Sequence, residues 1–247
     1  FTDTELLSAI EGRFKKVDLL KKQYGSDIEG VNQLLNDFSG KAGVSDLTEN
    51  RNTNLYKKKQ LIYSEGNHPS RLFYIEKGKV KVFKTNDDGK ELTIGLLKEG
   101  DFLGYTPMLE GTAYKDSAEA MEETELAIIP REDFELLIGN NKEVAHKFIQ
   151  LLAKNISEKE EQLLKLAYNS LRKRVADALL TLQNKYQKEG EGKFTIQISR
   201  EDLANIAGTA TESLIRTLSD FKNEKLVDII EHKITIINEK KLTAMLN

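Results

Sequence analysis

Between residues 55 and 130 apolar and polar residues alternate in short segments such as LFYIEKGKVKVFKT and ELTIGLL, with glycines at 66, 78, 89, 100 and 104. A period of two sends successive side chains to opposite faces of a strand. Glycines at this spacing stop each strand after a few residues. Many short strands at intervals of about 10 residues imply an antiparallel sandwich or barrel. NDDGK at 86–90 joins two such segments, and Asp88-Gly89 is the pair favoured in a primed hairpin turn.

After Pro130 the period changes. REDFELLI starts a helix, and residues 142–169 keep apolar residues in threes and fours through Val144, Phe148, Leu152, Ile156, Leu163 and Leu166. At 1.5 Å per residue this stretch is about 40 Å long. Such a helix outruns the sheet it would pack on, so it either lies on the sandwich or pairs with its own copy. A second helix, SLRKRVADALLTLQNKYQ, leads through KEGEGK at 188–193 to a strand, FTIQIS. Ser199-Arg200-Glu201-Asp202 has the spacing of a capping box. Gly208 breaks the helix it opens, a further helix runs over about 210–223, and VDIIEHKITII reads as a two-stranded hairpin. Helix, strand, helix–turn–helix and hairpin together make a winged helix–turn–helix. Upstream, residues 1–24 form an amphipathic helix and the polar stretch to 54 a linker. The expected fold is α+β: segment 1–54, a β-roll at 55–140, a long dimerisation helix at 141–169 and the winged unit at 170–247.

Composition removes several functions. The chain has no cysteine, which excludes thiolate zinc sites, cysteine-held iron–sulfur clusters and cysteine nucleophiles, and fits a cytoplasmic setting. His68, His146 and His232 are too scattered for a metal site. No apolar run approaches the roughly 18 residues of a membrane span. No phosphate loop, nucleophile elbow or zincin motif occurs, so an enzyme is not expected. Net charge is −3, but residues 171–247 hold 13 Lys and Arg against 11 Asp and Glu, an asymmetry that points weakly to an anion-binding C-terminal part.

Glu212 and Arg216 stand four apart on the second helix of the pair, one above the other. Taken alone they are a helix-stabilising ion pair. Their setting resembles the Crp–Fnr superfamily of bacterial transcription regulators. The likeness spans residues 55–247 and is carried by YSEGNHPSRLFYIEKGKVKVFKTNDDGKELTIGLLKEGDFLG, DSAEAMEETELAIIPREDF, the long helix, LRKRVADALLTL and ISREDLANIAGTATESLIRTLSDFKNEKLV. It implies a cyclic-nucleotide-binding-like β-roll, a homodimer, a pseudo-palindromic operator in double-stranded DNA, and contact with RNA polymerase. In the family, a Glu and an Arg spaced like Glu212 and Arg216 meet base edges. Glu accepts from the cytosine amine and Arg forks onto guanine. Thr209, Thr211 and Ser213 are placed for phosphates or bases. Arg200, beside the cap Ser199, matches a position that touches the DNA backbone. Leu214 and Leu218 read as core. Ile215 contacts a thymine methyl or packs, and the sequence does not choose. A cyclic-nucleotide sensor controlling a partner protein is the alternative.

The effector region departs from the family. Cyclic-nucleotide binders carry Gly-Glu early and Arg-Ser-Ala late in their phosphate-binding stretch. Here Gly104, Ser117 and Ala118 match, but Tyr105 replaces the Glu and Asp116 the Arg. An Asp there repels a phosphate, so neither cyclic AMP nor cyclic GMP is expected, and no other cofactor is indicated. Lys115 is adjacent but faces the other way. Over a shorter stretch, FTDTELLSAIEGRF resembles the final helix of a response-regulator receiver domain. That likeness implies control by phosphorylation through residues 1–54.

Overall fold

The computed structural model describes residues 52–140, 142–187, 192–231 and 233–245. The helix expected at 1–24, most of the linker, most of the 188–193 loop and His232 lie outside the described residues.

Eight strands form two four-stranded sheets. One runs β1 (Thr53–Tyr56), β8 (Thr124–Pro130), β3 (Arg71–Lys77), β6 (Phe102–Leu103). The other runs β2 (Leu61–Tyr63), β7 (Ser117–Ala120), β4 (Lys79–Thr85), β5 (Glu91–Lys98). All their pairings are antiparallel. Strand alternation divides the apolar residues between two layers. Phe73, Ile75 and Leu103 meet Val80 and Ala118 between the sheets. Leu72, Phe102 and Ile129 face the other way, against α1 (Tyr105–Glu110), α2 (Arg131–Asn140) and α3 (Lys142–Tyr168). Because apolar residues of β3 are needed in both layers, LFYI is a continuous apolar run, whereas KVKVFKT of β4 keeps the alternation.

The β4–β5 turn falls where expected but differs in kind. Gly89 has φ +77°, whereas Asp88 does not take the positive φ that a two-residue primed turn also requires. Instead Gly89 N donates to Asn86 O and Asn86 N to Lys90 O, which makes a three-residue loop. The Asn86 side chain selects it, accepting from Asp88 N at 3.1 Å and Lys90 N at 2.8 Å.

The seam expected along α3 also divides. Val144, Phe148 and Leu151 are buried against the roll. Ile149, Ile156 and Leu163, seven apart, form a separate stripe at 61%, 59% and 66% exposure.

The C-terminal unit comprises α4 (Leu171–Tyr186), β9 (Thr195–Gln197), α5 (Arg200–Ala207), α6 (Thr211–Asn223), β10 (Val227–Ile230), β11 (Lys233–Ile236) and α7 (Glu239–Thr243). The expected hairpin is present as β10 and β11, and the strand β9 joins it to make a three-stranded sheet, setting Ile196 opposite Ile234 in the core. The terminal helix α7 was not expected. Asn238 caps it and Leu242 is fully buried, but five residues carry too little pattern to be read.

Candidate nucleic-acid interface

The turn between α5 and α6 is set by Gly208, whose φ of +62° closes α5 as its backbone N–H returns to Ala204 O. Arg174 of α4 fixes the turn from behind, donating from Nη1 to Gly208 O at 2.7 Å. With the turn held, α6 packs Leu214, Thr217, Leu218 and Phe221 inward. The opposite face is exposed and carries Glu212, Ile215, Arg216 and Ser219.

Glu212 and Arg216 do not form the ion pair their spacing permits, and neither has another ion-pair partner among the described residues. Both charges therefore point outward with free hydrogen-bonding capacity. Thr211 and Ser213 flank this face half-buried, with Thr209 in the turn. Ala210 supplies no side-chain cap, so the amide groups of the first turn of α6 remain open donors. Ile215 is 49% exposed and does not pack in the core, so the packed alternative does not hold.

Ser199 caps α5. Its Oγ accepts from Asp202 N at 3.0 Å and donates to the Asp202 carboxylate at 2.5 Å. The box is not reciprocal, because Asp202 Oδ1 accepts from Lys81 Nζ of β4 at 2.8 Å instead. Arg200 is half-buried, and its Nη1 has no partner. Burial pulls its pKa down, but a guanidinium stays charged. That nitrogen is shielded from solvent, so its missing partner does not by itself make an anion site.

Lys81 joins the two units. Besides Asp202, it lies 3.2 Å from Glu119 and 3.3 Å from Glu91. Burial opposes its charge, but the hydrogen bond and charge of Asp202 outweigh that, and its pKa is raised. Glu91 also accepts from Asn205 of α5, and Lys59 pairs with Glu201. Nothing local to β4 marked Lys81 as more than a solvated strand lysine.

The residues expected around an effector come together but leave their space filled. Tyr63 and Tyr114 stack with centroids 3.9 Å apart and planes 10° apart. A Cβ added at Gly104, φ +89°, would lie 3.2 Å from the Tyr114 hydroxyl, so that ring covers the glycine. Asp116 accepts from Tyr63 Oη at 3.1 Å. Burial pushes its carboxyl pKa up, while the Tyr63 bond and the charges of Lys159 and Lys84 oppose the rise. Ser117 Oγ accepts from Glu65 N, and Ala118 is fully buried. Tyr105 is 6% exposed and belongs to the core under α3, where its hydroxyl accepts from Asn155 Nδ2 at 2.6 Å. Lys115 is exposed and pairs with Glu110. The sequence reading missed Tyr63 and Tyr114. The signal for them was limited to two aromatic residues, one on β2 and one in the loop before β7, that the topology juxtaposes.

Two protein families match this architecture: the cyclic nucleotide-binding domain at residues 53–141 and the Crp-like helix-turn-helix domain at residues 173–245. The chain is 35% identical over 173 residues to the cyclic AMP receptor protein of Thermus thermophilus, covering 70% of this chain and 78% of that protein. It is 24% identical over 191 residues to the transcriptional activator protein anr of Pseudomonas aeruginosa, covering 76% and 78%. Its fold resembles that of FixK2 from Bradyrhizobium japonicum, with a TM-score of 0.70 at 23% identity, over 78% of this chain and 96% of that one. The family matches begin at residue 53 and lend no support to the likeness of residues 1–24 to a receiver-domain helix.

Proposed function

The chain belongs to the Crp–Fnr family of transcription regulators, and from that premise we propose that it works as a homodimer reading a pseudo-palindromic operator through α6, without cyclic AMP or cyclic GMP. It is a DNA-binding regulator of the Crp–Fnr type, and that family is not one of enzymes. No helix among the described residues is long and apolar enough to cross a membrane. We take the cytoplasm as its place of action and RNA polymerase as its second macromolecular partner.

The observation that carries the operator reading is Glu212 and Arg216, outward and without an ion-pair partner among the described residues, on the face of α6 opposite its core. Together they offer an acceptor for cytosine and a two-pronged donor for guanine. Thr209, Thr211, Ser213 and the open amides of the first turn of α6 add donors that suit phosphates, with Ser199 and Arg200 at the start of α5 as further contacts to the DNA backbone. The dimer reading rests on Ile149, Ile156 and Leu163, an exposed heptad stripe whose natural cover is the same stripe of a second chain. Independence of cyclic nucleotides rests on Asp116, which repels a phosphate, and on the Tyr63–Tyr114 stack over Gly104. A sensor module that controls a partner protein is not favoured, because a complete Crp-like helix–turn–helix occupies residues 173–245.

Selection of bound duplexes from a random DNA pool, using the purified chain with no nucleotide added, tests this. The expected product is a palindrome with half-sites about one helical turn, ~34 Å, apart. A folded dimer that enriches nothing overturns the operator reading. Enrichment that appears only when cyclic AMP or cyclic GMP is supplied overturns the nucleotide-independent part.

A further inference from the structure

We propose that Ile215 is a specificity residue that takes the 5-methyl group of a thymine in the major groove. The inference rests on the operator-reading role given above to α6. Residues on an α-helix advance about 100° each. Leu214, Thr217, Leu218 and Phe221 fall on one side of α6, at 0%, 4%, 2% and 0% exposure. Glu212, Ile215, Arg216 and Ser219 fall on the other, all exposed. Ile215 is three residues after Glu212, four before Ser219 and adjacent to Arg216. With that face in the major groove, Ile215 therefore faces the base pairs beside those read by Glu212 and Arg216.

A single exposed isoleucine is ordinary on a protein surface. Its position on the face shared with Glu212, Arg216 and Ser219, about 40° from Ser219 and about 60° from Glu212 around the axis, is what gives this one a role. Isoleucine can neither donate nor accept a hydrogen bond, so it cannot read guanine, cytosine or adenine by their polar groups. The one apolar group that a base pair presents in the major groove is the thymine methyl. A β-branched side chain in a helix is also held in essentially one χ1 rotamer. Its methyl groups are thus placed before DNA arrives, and little freedom is lost on contact. The other large apolar residues of α6 are committed to the core, which leaves Ile215 alone to make this contact.

The experiment uses the full chain and the operator recovered by selection. Each thymine is replaced in turn by deoxyuridine, symmetrically in both half-sites, which removes the methyl and nothing else. The wild type should lose about fourfold in affinity per substituted half-site at one symmetric position, the loss appropriate to one methyl leaving an apolar contact. Ile215→Ala should bind thymine and uracil equally at that position and keep its preference at positions read by Glu212 and Arg216. Ile215→Val should retain most of the sensitivity. If Ile215→Ala responds to uracil as strongly as the wild type, or the wild type is blind to uracil everywhere, the methyl contact is wrong while the operator reading stands. If no sequence is enriched at all, both fall together.

Discussion

Replacing Lys81 with methionine removes a charge and keeps the stem, which isolates the electrostatics of the contact between the β-roll and α5. The Lys81 side chain is 5% exposed and lies 2.8 Å from Asp202, 3.2 Å from Glu119 and 3.3 Å from Glu91. Without it, Asp202 and Glu119, at 9% and 15% exposure, share a site left to the weaker pull of exposed Lys59. Removing one member of a buried ion pair costs about 3–5 kcal/mol. Glu91 is 31% exposed and can turn to water, and Asp202 keeps its bonds to Ser199. Both place the cost at the low end, about 3 kcal/mol. At a urea slope of about 3 kcal/mol per molar, the midpoint followed by far-UV circular dichroism should fall by about 1 M. Asp202→Asn should then cost far less in the methionine background than in the wild type. The pH dependence has a definite sign. Burial opposes the charge of Asp202, but Lys81 and Ser199 outweigh it and lower its pKa. Its contribution is complete above the ordinary aspartate value of about 3.9 and fades as pH falls through the lower folded value. Lys81, raised in the fold, contributes fully below about 10.4 and loses that contribution as pH climbs through its folded value. The cost of the substitution should hence be flat across neutral pH and shrink in acid. A midpoint shift below about 0.2 M, or an equal cost for Asp202→Asn in both backgrounds, would refute the coupling.

Arg216→Ala should reduce the preference for operator over scrambled duplex by about 10- to 100-fold and leave salt-dependent background binding in place. An equal loss on both duplexes in a competition assay would make Arg216 a phosphate contact. Ile156→Glu puts a charge into the exposed stripe of α3, where Ile156 is 59% exposed, and should turn the dimer into a monomer by sedimentation velocity without changing the circular dichroism. A surviving dimer would move the seam elsewhere. Gly208→Ala places a Cβ-bearing residue at φ +62°, a cost of about 1–2 kcal/mol. The added Cβ would also approach Leu166 Cδ2 at 2.5 Å, but that is the end of a flexible side chain and can move aside. The melting temperature should fall by about 4 °C, and an unchanged value would mean that the turn relaxes.

The parts of the fold that were legible are those decided by near neighbours in sequence. Alternation marked the strands, Ser199 and Gly208 marked the ends of α5, and the four-residue spacing of Glu212 and Arg216 put them on one face of α6. Each of these is a statement about one or two helical turns or one strand. Whether Glu212 and Arg216 pair with each other is not local in the same way, since it depends on what else competes for two long exposed side chains. The β4–β5 turn shows a second limit. Asp88-Gly89 favours one loop, but Asn86, two residues earlier, supplies hydrogen bonds that select another. Along α3 the threes and fours mixed two faces, and only the position of the roll decides that Phe148 is buried while Ile149 is not. Lys81 and Asp202 are 121 residues apart, and each had a sufficient bland reading, one as a solvated strand lysine and the other as half of a capping box. The same holds for Tyr63 and Tyr114, which meet only because β2 pairs with β7. Ile215 lies between these cases. At about 100° per residue it stands about 60° from Leu218 and about 60° from Glu212, so helix geometry alone leaves it on the border between core and outer face. Its 49% exposure is decided by how α6 packs against the rest of the C-terminal unit, which no spacing in the sequence records.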